Sequence, residues 1–384
     1  MTVVVTGLGL VSALGPTTDA MWQRLLQGES AIALRHPFSE ISPCPVAMLG
    51  KEPSVLTTLL LSATAAVVQD AGLLATLPEC GVVIGSSRAQ QGRWEQFLTH
   101  QPIDGWVDSL PHMGAISVAR KIGSKGPVLA PMAACATGLW AIAQGADLIR
   151  TGQCERVLVG AGEAAITPLT LAGFLQMRAL AQSGCYPFDE QREGLVLGEG
   201  AALLLLEAEQ TARARSARIY GQVLGAGLTA DANHVTAPDL ASGGGGLSAV
   251  ATCLKRSGLV PENISLIHAH GTATALNDAY EAALIQETFP SQVWVTSTKG
   301  ATGHTLGASG AMGAAVCLLA LHHQILPPCV GLRTPAFELN LVRQAQPASL
   351  SSALCFSFGF GGQNAVVAFS AYSERQKDRG QKDE

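Results

Sequence analysis

Cys135 closes an apolar run, Val128-Leu129-Ala130-Pro131-Met132-Ala133-Ala134-Cys135-Ala136-Thr137-Gly138, and the stretch that follows, Leu139 to Arg150, is Ala-rich and helical in pattern. A thiol at such a strand-to-helix junction sits at the positive end of the helix dipole, among backbone N–H groups that lack intrahelical partners. That setting lowers a thiol pKa and helps hold an oxyanion. The plain alternative is a small buried hydrophobe, a common fate of cysteine in apolar surroundings. Three further segments place polar groups where apolar strands should end, the usual ligand edge of an α/β sheet. His270-Gly271-Thr272-Ala273-Thr274 offers an imidazole and two hydroxyls that can face one ligand. Ser297-Thr298-Lys299-Gly300-Ala301-Thr302-Gly303-His304 offers a lysine and a second imidazole, and Phe358-Gly359-Phe360-Gly361-Gly362-Gln363-Asn364 is a Gly-rich loop between two strands. Singly, each reads as a satisfied core histidine, a solvated lysine or a turn. Together they supply a nucleophile with proton handling.

The elements that must hold these groups alternate. Val3–Thr6, Gly81–Gly85, Arg156–Gly160 and Ala201–Glu207 read as strands, and Thr18–Leu26, Leu56–Asp70 and Leu139–Arg150 as helices. A second series follows, with strands at Ile219–Val223, Leu266–His270, Val293–Ser297, Ala353–Phe358 and Ala365–Phe369, and helices at Leu247–Arg256, Asp278–Glu287 and Leu306–His323. This is the pattern of a layered α/β protein. The halves look alike: Val5-Thr6-Gly7-Leu8-Gly9, read as a strand running into a turn, pairs with Ile267 to Thr272, and the Cys135 segment pairs with Val293 to Gly300. An internal duplication is expected, joined in the polar stretch Glu207 to Arg218. The division is 1–208, 209–372 and a polar tail, 373–384. Ser242 to Ser248, with its four glycines, reads as a mobile loop.

Bulk properties exclude several classes. With 384 residues, 48% apolar and 14% charged, the chain can bury a large core. A net charge of −5 without a basic stripe argues against nucleic acid. The apolar stretch Ala311 to Leu321 is too short to span a bilayer and is broken by Gly313. Nine scattered cysteines without a CxxC pair argue against a disulfide framework and a zinc site. His268 and His270 share a strand face by period two but have no third ligand nearby in sequence, so no metal is expected. Gly7-Leu8-Gly9 lacks the following acidic residue of a dinucleotide site. Met1 leads straight into a strand with no basic leader, so a cytoplasmic protein is expected.

The four segments, in this order, with Val4-Val5-Thr6-Gly7-Leu8-Gly9 and the middle stretch Pro187 to Gly200, resemble the elongating β-ketoacyl-acyl carrier protein synthases, of the thiolase fold. The resemblance covers nearly the whole chain and implies a five-layer αβαβα fold of two duplicated halves. It implies a decarboxylative Claisen condensation between a Cys-bound acyl chain and a malonyl group, in fatty acid or type II polyketide-like synthesis. Cys135 is then the nucleophile, His270 and His304 assist decarboxylation, and Lys299 orients the site. The N–H groups of Cys135 and Phe360 form the oxyanion hole, with Phe360 also the gate. Thr272 and Thr274 bind the pantetheine arm, Phe174 lines the acyl pocket, and Phe358 and Asn364 contact substrate. Arg178 and Lys51 are the expected carrier-docking positions. No cofactor is implied beyond the phosphopantetheine of acyl carrier protein, and a homodimer or a heterodimer with a homologous ketosynthase is expected. Thiolases need a second cysteine where this chain has Phe360, and initiating synthases carry asparagine for one histidine.

The chain departs from that pattern in four places. Gly313 stands where a glutamate usually pairs with the lysine, which would leave Lys299 without its countercharge. His268 stands where Asn, Asp or Glu is common, the segment from Gly85 to Cys135 is short, and the basic docking patch is thin. These departures keep a second expectation open: a low-activity partner of the chain-length-factor kind that shapes the pocket of an active ketosynthase.

Overall fold

A computed structural model describes residues 1–99, 104–238 and 244–372. The expected tail and the first part of the Gly-rich stretch, 242–243, lie outside them. Ten strands form the scaffold: β1 (Val3–Ser12), β2 (Gly81–Gly85), β3 (Val128–Leu129), β4 (Arg156–Glu163), β5 (Gly200–Ala208), β6 (Gly221–Ala230), β7 (Leu266–His268), β8 (Trp294–Thr296), β9 (Ser352–Gly359) and β10 (Gln363–Ser370). They lie in the order β8-β7-β9-β10-β6-β1-β5-β4-β2-β3, with a short strand, Asn340–Leu341, beside β8.

The order contains a repeat. In the first half β2 runs parallel to β3 and β4, and β5 runs antiparallel to β4 and β1. In the second half β7 runs parallel to β8 and β9, and β10 antiparallel to β9 and β6. The halves touch through a short β1–β6 pairing at Val4–Gln222 and Val5–Gly221. Thus β3 and β8, the strands before Cys135 and Lys299, correspond as expected. The other equivalence was misplaced: β7 corresponds to β2, and β1 to β6.

Parallel neighbours need crossovers, and these are helices. In chain order the helices that matter are α1 (Leu56–Asp70), α2 (Met113–Ile122), α3 (Thr137–Arg150), α4 (Pro168–Gln176), α5 (Gly244–Ser257), α6 (Ala275–Thr288), α7 (Lys299–Thr302) and α8 (Ser309–His323). Leu139, Ile142 and Ala146 of α3 and Ala311, Ala315 and Leu318 of α8 share one core with Val83, Val159 and Leu204 of the first half and Ala353, Cys355 and Val367 of the second. Neighbouring strand residues point the other way: Val82, Ile84, Leu158 and Leu203 pack under α1 and α2, and Ile267, Leu354 and Val366 under α5 and α6. Period-two alternation over strands buried on both faces thus yields five layers, with α3 and α8 at the centre.

The central layer requires close approach. A Cβ on Gly138 of α3 would lie 2.5 Å from the Ala311 nitrogen of α8. Gly7 and Gly9 do not form a turn, because β1 continues to Ser12 with a bulge between Val5 and Gly7. Their missing side chains let α1 settle on the strand, since a Cβ on Gly9 would meet Ala63 O at 2.3 Å. Gly244 to Ser248 is helical, the first turn of α5, and not a loop. The join is also less exposed than its polarity implies: Glu207 is fully buried, paired with Arg156 and Arg215. Leu306–His323, unbroken by Gly313, is long and apolar enough to cross a membrane, yet 89% of it is buried inside the fold.

Candidate active site

Cys135 lies one residue before the cap of α3, at the end of the loop from β3. Ala134 adopts a positive φ of 47°, unfavourable for a residue with a Cβ. The surroundings hold this bend. Thr137 Oγ1 accepts from Ala133 N at 2.9 Å and donates to Ala134 O at 2.7 Å, and Ser357 Oγ donates to the Cys135 carbonyl at 2.8 Å. Gly359 closes the far side, where a Cβ would lie 3.0 Å from Cys135 N. The Phe360 N–H points at the Cys135 sulfur. Sγ and the backbone donor therefore share one small space.

His270 follows β7 and His304 follows α7. Sγ of Cys135 and one ring nitrogen from each histidine lie within 4.8 Å of one another. The rings meet edge to face, with centroids 5.3 Å apart. His304 Nδ1 lies 2.8 Å from Ser309 Oγ, at the start of α8. Lys299 Nζ donates to the His270 carbonyl and lies 3.3 Å from His270 Nδ1. With both Nδ1 atoms engaged, both Nε2 atoms are left for the cavity. The three atoms are close enough to share a soft cation, but the neighbouring Lys299 ammonium opposes a second positive charge.

Burial dominates the electrostatics. It holds both imidazoles well below the usual histidine range, reinforced by the charge of Lys299, so both are neutral at physiological pH. Lys299 is likewise pushed down by desolvation. The expectation for Cys135 is corrected: burial outweighs the helix terminus and pushes its thiol up to about 11, despite opposing effects of Lys299, Arg88 and the Phe360 N–H. At rest the Cys135 sulfur is a thiol. It must lose its proton as it reacts.

Among the described residues Lys299 forms no ion pair, and its side-chain partners are both on His270. Glu281 of α6, fully buried, is the largest influence favouring its charged form. Glu281 accepts from the N–H groups of His270 and Gly271, the latter at 2.7 Å. Asp278 similarly accepts from Phe188 N at 2.8 Å and Ala273 N at 3.1 Å. Glu163, at the end of β4, accepts from Ser86 Oγ at 2.7 Å, Ser87 N at 2.8 Å and Gly307 N at 3.0 Å, tying the first half to the loop after His304. Sequence reasoning missed these three. For Glu163 the available signal was a carboxylate closing an otherwise apolar strand, a placement that needs donors; Asp278 and Glu281, in a helix of mixed polarity, carried no such signal.

A narrow cavity of about 110 Å³ reaches the triad, lined also by Phe174, Thr272, Thr274, Phe358, Phe360 and Asn364. Phe360 packs on Phe174 with ring centroids 6.0 Å apart, and Phe358 lies 6.2 Å from His270. Thr272 and Thr274 hydroxyls are 2.9 Å apart, and Asn364 Nδ2 donates to Asp231 at 2.7 Å. Arg178, two residues past α4, and Lys51 are exposed and do not line the cavity. Arg88 was not anticipated; its guanidinium lies 5.8 Å from the Phe174 ring centroid.

This is a thiolase-like condensing-enzyme fold with a Cys-His-His site. Residues 51–212 match the Beta-ketoacyl synthase, N-terminal domain, and residues 220–333 the Beta-ketoacyl synthase, C-terminal domain. The 3-oxoacyl-(acyl-carrier-protein) synthase 2 of Synechocystis sp. is 34% identical, covering 96% of this chain and 98% of that protein. Its namesake in Coxiella burnetii is 33% identical over the same shares. Among solved structures, the ishigamide ketosynthase/chain length factor superposes with a TM-score of 0.89 at 28% identity, covering 97% of this chain and 99% of that one. A chain of AntDE:AntF, a type II PKS acyl-carrier protein in complex with its ketosynthase, gives 0.90 at 27% identity over the same shares. The chain belongs to the beta-ketoacyl synthase family and is a condensing acyltransferase.

Proposed function

We propose that this chain joins a Cys135-bound acyl group to a malonyl group delivered on acyl carrier protein, in fatty acid or polyketide synthesis. The observation that carries the residue assignment is the convergence of Cys135 Sγ with His270 and His304 inside 4.8 Å, three buried side chains that line one small cavity. In the first half-reaction the Cys135 sulfur attacks the acyl thioester; its S–C bond forms, the pantetheine C–S bond breaks, and the proton leaves with the pantetheine thiol. In the second, the malonyl carboxylate leaves as carbon dioxide and its electron pair passes into an enolate. Nε2–H groups of His270 and His304 stabilise that oxygen without fixed charge in a dry site. The enolate carbon attacks the acyl carbonyl, whose oxyanion takes the N–H groups of Cys135 and Phe360; the Cys135 S–C bond then breaks, and the departing thiolate takes up one proton from solvent to restore the thiol.

Thr272 and Thr274 suit the pantetheine arm, Phe174 and Phe358 the acyl and thioester walls, and Asn364 the loop that carries Phe360. Arg178 and Lys51 are the proposed carrier contacts. The first half of the chain, 1–208, brings the nucleophile and the second, 209–372, the histidines. The chain works as a dimer with itself or with a homologous ketosynthase, a reading supported by its likeness to the ishigamide ketosynthase/chain length factor. A partner lacking turnover is disfavoured because Cys135, His270, His304 and Lys299 stand together. Incubation with acyl-carrier protein followed by intact-mass measurement tests this: an acyl adduct on Cys135, absent in Cys135→Ala, is expected. An adduct appearing solely on a co-purified homologue would overturn it.

A further inference from the structure

We infer that His268 is a positioning residue for the Lys299–His304 segment, and that the missing side chain at Gly313 is what admits its ring. The inference rests on the condensing-enzyme reading and names a residue that reading does not use. His268 ends β7, two residues before His270, and is 2% exposed. It does not line the cavity. Its Nε2 lies 3.2 Å from Thr298 Oγ1. Thr298 heads α7: its carbonyl accepts from Ala301 N at 2.9 Å and Thr302 N at 3.0 Å, so its placement sets the turn that begins at Lys299. Gly303, with a positive φ of 66°, then turns the chain into His304. A shift of Thr298 thus moves His304 and also Lys299, which holds His270 Nδ1, and leaves the Cys135 elbow, built from β3, α3 and β9, where it is.

The other edge of the ring is held by shape. Its Nδ1 lies 3.9 Å from Cys355 Sγ. A Cβ on Gly313 would lie 2.6 Å from that Nδ1, 2.7 Å from Cε1 and 2.8 Å from Cys355 Sγ. Packed carbon and nitrogen atoms do not approach so closely, and a buried ring cannot swing into solvent to make room. A side chain at 313 and an imidazole at 268 therefore exclude each other. Ser309, one turn earlier on α8, holds His304 Nδ1 at 2.8 Å. One face of α8 accordingly sets His304 directly and, through the space it leaves, His268.

The test separates the half-reactions, which a loss of general stability would lower together. Acylation of Cys135 is followed by intact mass, and decarboxylation by carbon dioxide released from malonyl-acyl carrier protein. His268→Leu should cut carbon dioxide release by about tenfold or more, with acylation within about twofold of wild type, and His268→Gln should recover much of the loss. Gly313→Ala should reproduce the same split. In a His268→Asn background, whose side chain is shorter, adding Gly313→Ala should cost little, so the two changes are strongly non-additive. Equal losses in both half-reactions, no loss in His268→Leu, or effects that multiply in the double variant would overturn the inference. A wild-type protein that releases no carbon dioxide would sink the functional reading itself, and this inference with it.

Discussion

Lys299 Nζ lies 3.3 Å from Nδ1 of His270 and donates to the carbonyl of the same residue. A charged ammonium beside Nδ1 makes that nitrogen the acceptor, so the proton of the neutral ring resides on Nε2, where the proposed condensation calls for a donor to the enolate oxygen. Lys299→Met should therefore slow carbon dioxide release by about 10²-fold while the folded protein survives, since a buried cation is replaced by an apolar chain of similar length. Comparing release rates and thermal midpoints of the two proteins checks this; an unchanged release rate would discard the tautomer argument.

The Cys135 thiol, pushed up to about 11 by burial, makes a second prediction. Its thiolate fraction grows about tenfold per pH unit below that value, so alkylation by iodoacetamide should climb steadily from pH 7 to pH 9 without levelling. A plateau near pH 7 would show that the helix terminus, and not burial, governs the sulfur.

Glu281 is raised to about 7 by desolvation. Between its unfolded value near 4.5 and about 7 the folded protein keeps a proton that the unfolded chain releases, so this group's contribution to stability falls as pH rises through that window. Glu281→Gln should flatten that part of the pH–stability curve. It should also cost about 1–3 kcal/mol, because one of two buried N–H groups loses its carboxylate oxygen. Denaturant midpoints at pH 5 and pH 7.5 measure both effects, and an identical pH slope in the variant would refute the assignment.

Gly138 faces Ala311 across the central helices. Gly138→Ala forces α3 and α8 apart, and should cost about 1–3 kcal/mol by overpacking. Because Cys135 sits just ahead of α3 and Ser309 of α8 holds His304, the same change should reduce condensation more than its stability cost implies. Gly173, on α4, has open space around its Cβ position, and its alanine variant serves as the neutral control.

Much of the scaffold was legible because both periodicities survive in the text. Leu56–Asp70 and Thr18–Leu26 appear at the bounds read from the sequence, the first on its apolar pattern alone and the second with Thr17 as its cap. β1 was cut short at Thr6 because Gly7 and Gly9 look like turn residues until α1 is laid on them. The same glycine that marks a turn also marks a close approach, and one dimension does not distinguish the two. Likewise, Glu163 ends an apolar strand and Glu281 sits among other polar residues of its helix, and neither setting marks them as buried, since their donors lie on distant loops.

By itself the sequence determined which groups could do the chemistry: Cys135 before a helix, His270 and His304 after strands and turns, Lys299 between them. Residue type and local pattern suffice for that. Tertiary structure alone decided their states. Burial made Cys135 a thiol and both imidazoles neutral, because desolvation depends on everything packed around a group and on nothing in its immediate sequence. It also let buried Glu281 favour the charge of Lys299 through space without an ion pair, and it turned two separate oddities, Gly313 and His268, into one shared volume.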